Sequence, residues 1–185
     1  MSIYDEAYYN GGRGAYKRYV YKDSWKKRAK GNMDAFPDAK SFMDVGCAKG
    51  FILRGYVELG VPIEDVYGYD ISEYAIKEAE SVIKDQVECC SVFDFKPTRQ
   101  WDLVSAYDFL EHLPTERMRE AVKILEDSSA KYLHIMLMVE KADWDTDESH
   151  VSIMPLEEWL KFFSFELIES SRDFPHIEMA KFKRV

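Results

Sequence analysis

Gly46, Cys47, Ala48 and Gly50 lie between a short apolar stretch and an apolar helical pattern, and Asp70 lies twenty residues beyond Gly50. Glycine lets a backbone approach a ligand where a Cβ would collide. A carboxylate at that distance, ending the next strand, suits the two hydroxyls of a ribose. The competing reading is a tight turn needed only for folding. Each half is a weak signal; in this order and context the pair favours binding of a nucleotide-like cofactor.

Two further stretches carry reactive types. "YDFLEHLP" places Tyr107, Asp108, Glu111 and His112 at the carboxyl end of an apolar strand, and His112 is of the type that titrates near neutrality. "DWDTDESH" carries Asp143, Asp145, Asp147 and Glu148 before His150. Its acids faintly match a calcium loop but lack the glycine and closing Glu at the required offsets, so they read as a solvated loop. Cys47 reads as a small turn residue, since nothing near it in sequence would lower its pKa. The chain has no CxxC or HExxH spacing, and the site is read without a metal.

Alternating elements must hold these residues. Tyr16 to Lys30 reads as a helix, with a break at "AFPDAK". Strands are expected in "SFMDV", "DVYGYD", "VECCSVFDF", "WDLVSAYDF" and "KYLHIMLMV". Helices are expected in "FILRGYVEL", in "EYAIKEAESVIK" behind the N-cap Ser72, in "ERMREAVKIL", and in "PLEEWLKFF" with Pro155 at its first position. "FELIESSRD" and "HIEMAKFKRV" close the chain as strands with no helix between them. The fold expected is α/β: a Rossmann-like, doubly wound, mostly parallel sheet of about seven strands, with one antiparallel strand at the C-terminal end.

Composition narrows the partners. The 185 residues are 46% hydrophobic, enough for one cored domain. No run of apolar residues reaches membrane length, and no signal pattern opens the chain, so no membrane partner is expected. Three cysteines, two of them adjacent, suit a reduced, cytoplasmic protein. The net charge is -9, yet Gly11 to Gly31 holds eight Lys or Arg against one Asp. The acidic remainder disfavours binding along a nucleic-acid backbone. The basic stretch reads as a solvated helix face, or as a contact for an anionic substrate or a cofactor carboxylate.

From Ser41 to Val139 the sequence resembles the class I S-adenosylmethionine-dependent methyltransferases. "MDVGCAKGFIL" is similar to their first motif, "VYGYDIS" to their second, and "WDLVSAYDFLEHLP" to their fourth strand and following loop. Two positions depart: Ala48 stands where glycine is usual, and Ser91 where an acid often meets the adenine amino group. The resemblance implies S-adenosyl-L-methionine as cofactor and S-adenosyl-L-homocysteine as product. It implies that the backbone at Gly46, Cys47 and Ala48 faces the methionyl part, with Gly50 closing the turn. Asp44 would orient that turn or reach the methionyl amine through water. Asp70 would hold the ribose and Ile71 pack on the adenine. Ser91 and Val92 would border the adenine edge, and Tyr107 joins the cofactor-binding set. His112 and His150 become the catalytic candidates beside the acceptor, with His150 favoured as base. Residues 1–40 would form a helical lid, and 41–185 the catalytic domain. Asp108-x-x-Glu111-His112 is also similar to the Glu-x-x-Glu-His of quinone-biosynthesis O-methyltransferases, which is linked there to a divalent metal.

The implied function is O- or N-methylation of a small-molecule acceptor. The alternatives are methylation of nucleic acid or protein, or cofactor binding without catalysis. The Asn/Asp-Pro-Pro-aromatic motif of amino-methylating DNA enzymes is absent. A nicotinamide dehydrogenase would want Gly-x-Gly-x-x-Gly, which Gly46-Cys47-Ala48 breaks.

Overall fold

The computed structural model describes residues 3–11, 18–143 and 147–185. The strands are β1 (Phe42–Val45), β2 (Val66–Asp70), β3 (Val87–Cys89), β4 (Trp101–Ala106), β5 (Ser129–Met138), β6 (Glu166–Phe174) and β7 (Ile177–Lys183). They form one sheet in the order β3-β2-β1-β4-β5-β7-β6. β1, β2, β3, β4 and β5 pair in parallel, while β7 runs antiparallel to both β5 and β6. The expected Rossmann-like sheet of seven strands is therefore present. The strand order reverses between β1 and β4, and that switch point is where a doubly wound sheet opens a crevice at its carboxyl ends.

The helices are α1 (Glu6–Tyr9), α2 (Asp23–Ala35), α3 (Phe51–Glu58), α4 (Glu73–Lys77), α5 (Met118–Ser128) and α6 (Leu156–Trp159). The sheet is covered on both faces, so its central strands are apolar on both sides. Leu103 of β4 joins Phe42, Leu53 and Tyr56 in one core; its neighbour Val104 joins Val122, Leu125 and Trp159 in the other. Trp159 is wholly buried, and its indole N–H donates to the Met138 carbonyl at 2.9 Å. Burying a side chain of this class contributes about 1.5–3 kcal/mol.

Three expected elements differ. The basic helix runs over Asp23–Ala35 rather than Tyr16–Lys30; residues 12–17 lie outside the described residues. It continues through Gly31 because it docks on α3, where a Cβ on Gly55 would stand 3.1 Å from that of Ala29. The helix expected over 73–84 stops at Lys77, and a 3-10 turn follows at Ser81–Gln86. Tertiary contacts break it: the Glu80 amide donates to the Lys49 carbonyl at 3.2 Å, and the Glu80 carboxylate pairs with Arg54 at 2.8 Å. Pro155 is the N-cap of α6 rather than its first residue, and α6 is only four residues long.

Candidate active site

The turn after β1 folds back onto the end of β2. The amides of Gly46 and Cys47 both donate to the Tyr69 carbonyl, at 2.9 and 3.1 Å. Gly46 and Gly50 have φ of +72° and +73°, and Ala48, at φ 48°, is also left-handed. An alanine there costs about 1–2 kcal/mol that glycine would not. Asp70 offsets that strain: its Oδ2 accepts the Ala48 N–H at 2.9 Å and its Oδ1 the Ser72 N–H at 2.8 Å. The Ser72 hydroxyl in turn caps α4 by accepting from the Ala75 amide at 3.0 Å.

The two glycines do different work. A Cβ on Gly46 would stand 2.7 Å from the Phe109 ring, and Gly46 lines the cavity described below. A Cβ on Gly50 would stand 2.4 Å from Ile83, in the interior. Gly50 is small for packing, and the expectation that it opens the backbone to a ligand is corrected.

A cavity of about 300 Å³ lies over this turn. Gly46, Cys47, Ala48, Asp44, Asp70 and Ile71 contribute to its wall. Tyr107, Asp108, Phe109 and His112 contribute from the end of β4. Tyr4, Tyr8, Tyr9 and Tyr19 contribute from the segment before β1, joined by Trp25 and Arg28 of α2. Ile71 is apolar and 50% exposed, which suits a ligand platform. Ser91 and Val92 are not among the lining residues. Val92 is buried in the core with Phe95, and the Ser91 carbonyl accepts the amides of Asp94 and Phe95, both at 3.0 Å. Neither therefore borders the cavity as expected of an adenine contact.

The cavity floor is electrostatically unusual. Burial pushes the Asp44 carboxyl up to about 7, against the opposing pull of the Ser105 hydroxyl, which donates to it at 2.7 Å, and of Arg28. Burial also raises Asp70, opposed by its two amide donors. The Cys47 thiol lies well above its ordinary range, first through burial and then through Asp70 and Asp44, so it is no nucleophile. Behind them the Tyr107 hydroxyl, Asn32 Oδ1 and His134 Nδ1 lie 2.9 Å from one another. The Arg28 guanidinium sits 4.8 Å above the Tyr107 ring, so this polar triangle supports a cation–π platform.

The end of β4 meets the loop after β5 through one backbone clamp. The Glu111 carbonyl accepts the amides of Val151 and Ser152, at 2.8 and 3.0 Å. That brings the His112 and His150 rings to a centroid separation of 4.7 Å. His112 Nδ1 lies 2.9 Å from Ser149 Oγ, which donates to the Asp147 carboxylate. Ser149 having one proton to give, His112 carries its proton on Nδ1 and presents the Nε2 lone pair. His112 lines the cavity; His150 does not, and its ring lies tilted beside that of His112. Glu111 is buried, its carboxyl pushed up by burial and by the charge of Asp108. Asp108 itself has φ 52°, a left-handed conformation that is uncommon outside glycine.

Asp147 and Trp25 stand at the site although neither is a sequence candidate. Asp147, expected in a solvated loop, is 8% exposed and also accepts the Tyr8 hydroxyl at 3.2 Å. Its signal was the Asp-x-Ser spacing to Ser149, an Asx turn. Trp25 and Arg28 lie in the basic stretch, for which a solvated face and a contact for an anionic substrate or cofactor carboxylate are the two expectations, and both residues line the cavity. Their spacing with the buried Ala29 and Asn32 is the i, i+3, i+4, i+7 stripe of one helix face, with Arg28 at its exposed edge. Lys22, Lys27 and Lys30 are exposed, as Arg28 is, but do not line the cavity.

Residues 16–181 match the family model described as "Methyltransferase domain". The chain belongs to this methyltransferase family. A search of curated proteins found no match. Among solved structures, this methyltransferase is similar to CalS10, an amino pentose methyltransferase from Micromonospora echinaspora, with 15% identity over 100% of this chain and 99% of that one, TM-score 0.71. It is equally similar to the magnesium protoporphyrin IX methyltransferase ChlM from Synechocystis PCC 6803 with bound SAH: 15% identity, 99% of each chain, TM-score 0.71. A SAM-dependent methyltransferase from Archaeoglobus fulgidus aligns at 18% identity over 96% of this chain and 98% of that one, TM-score 0.70. Identities this low establish the shared fold. No helix among the described residues of the methyltransferase is long and apolar enough to cross a membrane.

Proposed function

We propose that this methyltransferase moves a methyl group from S-adenosyl-L-methionine to an oxygen or nitrogen of a small-molecule acceptor, releasing S-adenosyl-L-homocysteine. The observation that carries the reading is one cavity walled by Gly46, Asp70 and Arg28 together with Asp108 and His112. The first three suit a zwitterionic nucleoside and the last two a reacting centre. The cofactor would supply a methyl on a sulfonium. The S–CH₃ bond breaks with its electron pair staying on sulfur, and the acceptor's lone pair forms the new bond.

Each residue has a part in that transfer. Asp70 accepts ribose hydroxyls with the lone pairs its amide bonds leave over. Ile71 carries the adenine. Arg28 holds the methionyl carboxylate, a charge-assisted pairing. Buried Asp44 faces the methionyl amine and, with Tyr107, sets the floor. His112 and His150 activate the acceptor. Residues 1–40 act as a lid: the Ser72 hydroxyl donates to the Tyr4 carbonyl at 2.5 Å, and Tyr8 reaches Asp147, so the segment ties the cofactor side to the acceptor side. A lid that excludes water and aligns an in-line displacement is most of what such a reaction needs.

The two neighbours named for an amino pentose and for magnesium protoporphyrin IX support a small acceptor. Isothermal titration with S-adenosylmethionine, S-adenosylhomocysteine and NAD tests the cofactor, and micromolar binding of the first two without the third is expected. A labelled-methyl screen over metabolite pools tests the transfer. Binding of NAD alone would overturn the reading.

A further inference from the structure

Three side chains of different origin meet at the acceptor side of the cavity. Asp108 follows β4, His112 ends the 3-10 turn Leu110–His112, and His150 comes from the loop after β5. One ligand atom from each lies within 4.8 Å of the other two. Bonds of about 2.0–2.2 Å to nitrogen and oxygen place donor atoms roughly 3–4 Å apart around an ion, so shifts well under the length of a side chain close the set. Glu111, the acid that sequence spacing would add, is wholly buried and is not in the group.

Two features of the surroundings point the same way. The first is the support behind His112. Its Nδ1 is held by Ser149 Oγ, and Ser149 by the Asp147 carboxylate, which leaves Nε2 as the coordinating atom. A carboxylate acting through a hydroxyl on the far nitrogen is the arrangement that orients metal-bound histidines. The second is Asp108, exposed at the mouth and held in a left-handed conformation, so that it faces the histidines rather than continuing β4. Solvent reaches all three residues in part, which gives an ion a way in.

We infer that Asp108, His112 and His150 bind a divalent transition-metal ion that holds the acceptor through oxygen. Two imidazoles and one carboxylate suit Zn²⁺, Mn²⁺ or Co²⁺ better than the all-oxygen preference of Mg²⁺ or Ca²⁺. Three protein ligands leave coordination positions for the substrate. The inference rests on the methyl-transfer reading and narrows it: the acceptor atom is a hydroxyl oxygen, made more acidic by the ion, with a second oxygen nearby to chelate. The hydroxyl proton leaves to solvent, the oxygen pair forms the O–CH₃ bond, and the sulfonium takes back the S–CH₃ pair.

The test titrates the tag-free full chain with Zn²⁺ by calorimetry and with Co²⁺ by visible absorption, without cofactor. One equivalent bound at micromolar affinity is expected. Asp108→Asn and His150→Ala should each weaken it by about 10- to 100-fold, the usual effect of losing a ligand or its support. Glu148→Gln, an exposed acid two residues from His150, should bind as wild type. Absence of binding, equal binding in the Asp108 and His150 variants, or loss in the Glu148 variant would each overturn the site. So would a thiolate-to-cobalt band, which would put the ion on Cys89 and Cys90. S-adenosylhomocysteine affinity, measured on the same samples, shows that each variant is folded. It also separates a failure of this inference from a failure of the methyltransferase reading.

Discussion

Asp70 Oδ2 accepts the backbone N–H of Ala48 across 2.9 Å, tying the end of β2 to the glycine turn. One carboxylate thus serves the fold and the ligand. Asp70→Ala strands the amides of Ala48 and Ser72 and should cost roughly 1–3 kcal/mol of stability. Asp70→Asn keeps one acceptor oxygen and should fold with a smaller loss of Tm. In the folded Asn variant S-adenosylhomocysteine affinity should still fall about 10- to 100-fold, or 1.4–2.8 kcal/mol. Wild-type affinity in that variant would remove Asp70 from the ribose.

Gly46 faces two obstacles to substitution, its φ of +72° and the Phe109 ring 2.7 Å from any Cβ. Gly46→Val should abolish cofactor binding in calorimetry while lowering Tm only a few degrees, because the turn lies at the cavity rather than in a core. Phe109→Ala added to Gly46→Ala should restore part of the affinity, since it removes the clash and leaves the strain. If Gly46→Val binds normally, the turn is structural only.

Asp44 predicts a pH dependence. Its pKa in the fold is about 7, raised by burial from an ordinary 3.8, so the folded protein favours the protonated form. Its contribution to stability is present in full below pH 3.8 and is lost as pH rises through about 7. Asp44→Asn keeps the acceptor for Ser105 and never ionises. Compared by urea unfolding at pH 5 and pH 8, the Asn variant should gain on wild type by on the order of 1–3 kcal/mol at the higher pH. A constant difference between the two would mean Asp44 titrates normally.

His112 and His150 should act as a unit. The sequence favours His150 as base; the cavity wall contains His112, with the His150 ring tilted beside it at 4.7 Å. Alanine at either position should lower kcat by about 10²- to 10⁴-fold with cofactor affinity nearly unchanged. The double variant should be little worse than the poorer single one. Multiplicative losses would show two independent roles, and wild-type kcat in both would leave alignment alone to drive transfer.

Arg28 should matter through the methionyl carboxylate. Arg28→Met keeps the aliphatic stem over Tyr107 and removes the charge. S-adenosylmethionine affinity should drop about tenfold, while 5′-methylthioadenosine, which lacks the carboxylate, should bind both proteins alike, as expected for one lost charge-assisted bond. A parallel loss for both ligands would point to damaged packing instead.

The glycine turn, Asp70, the strand–helix alternation and the closing antiparallel strand were legible in the sequence because each is local. A left-handed turn demands glycine within a few residues, and a strand buried on both faces demands an unbroken apolar run. What lay beyond the sequence depended on elements meeting in space. Helix propensity alone would carry α4 through residue 84; the contacts of Glu80 with Lys49 and Arg54 end it. The acids before His150 read as solvent-facing until Tyr8, from the far end of the chain, lands on Asp147. Arg28 is one of eight basic residues in its stretch until α2 docks on α3 and turns it to the cavity. Asp108 and His112 meet His150 where the Glu111 carbonyl accepts two amides of the loop after β5 and side chains such as Ser149 add to the join. A backbone carbonyl is common to every residue, and so leaves no trace in the sequence.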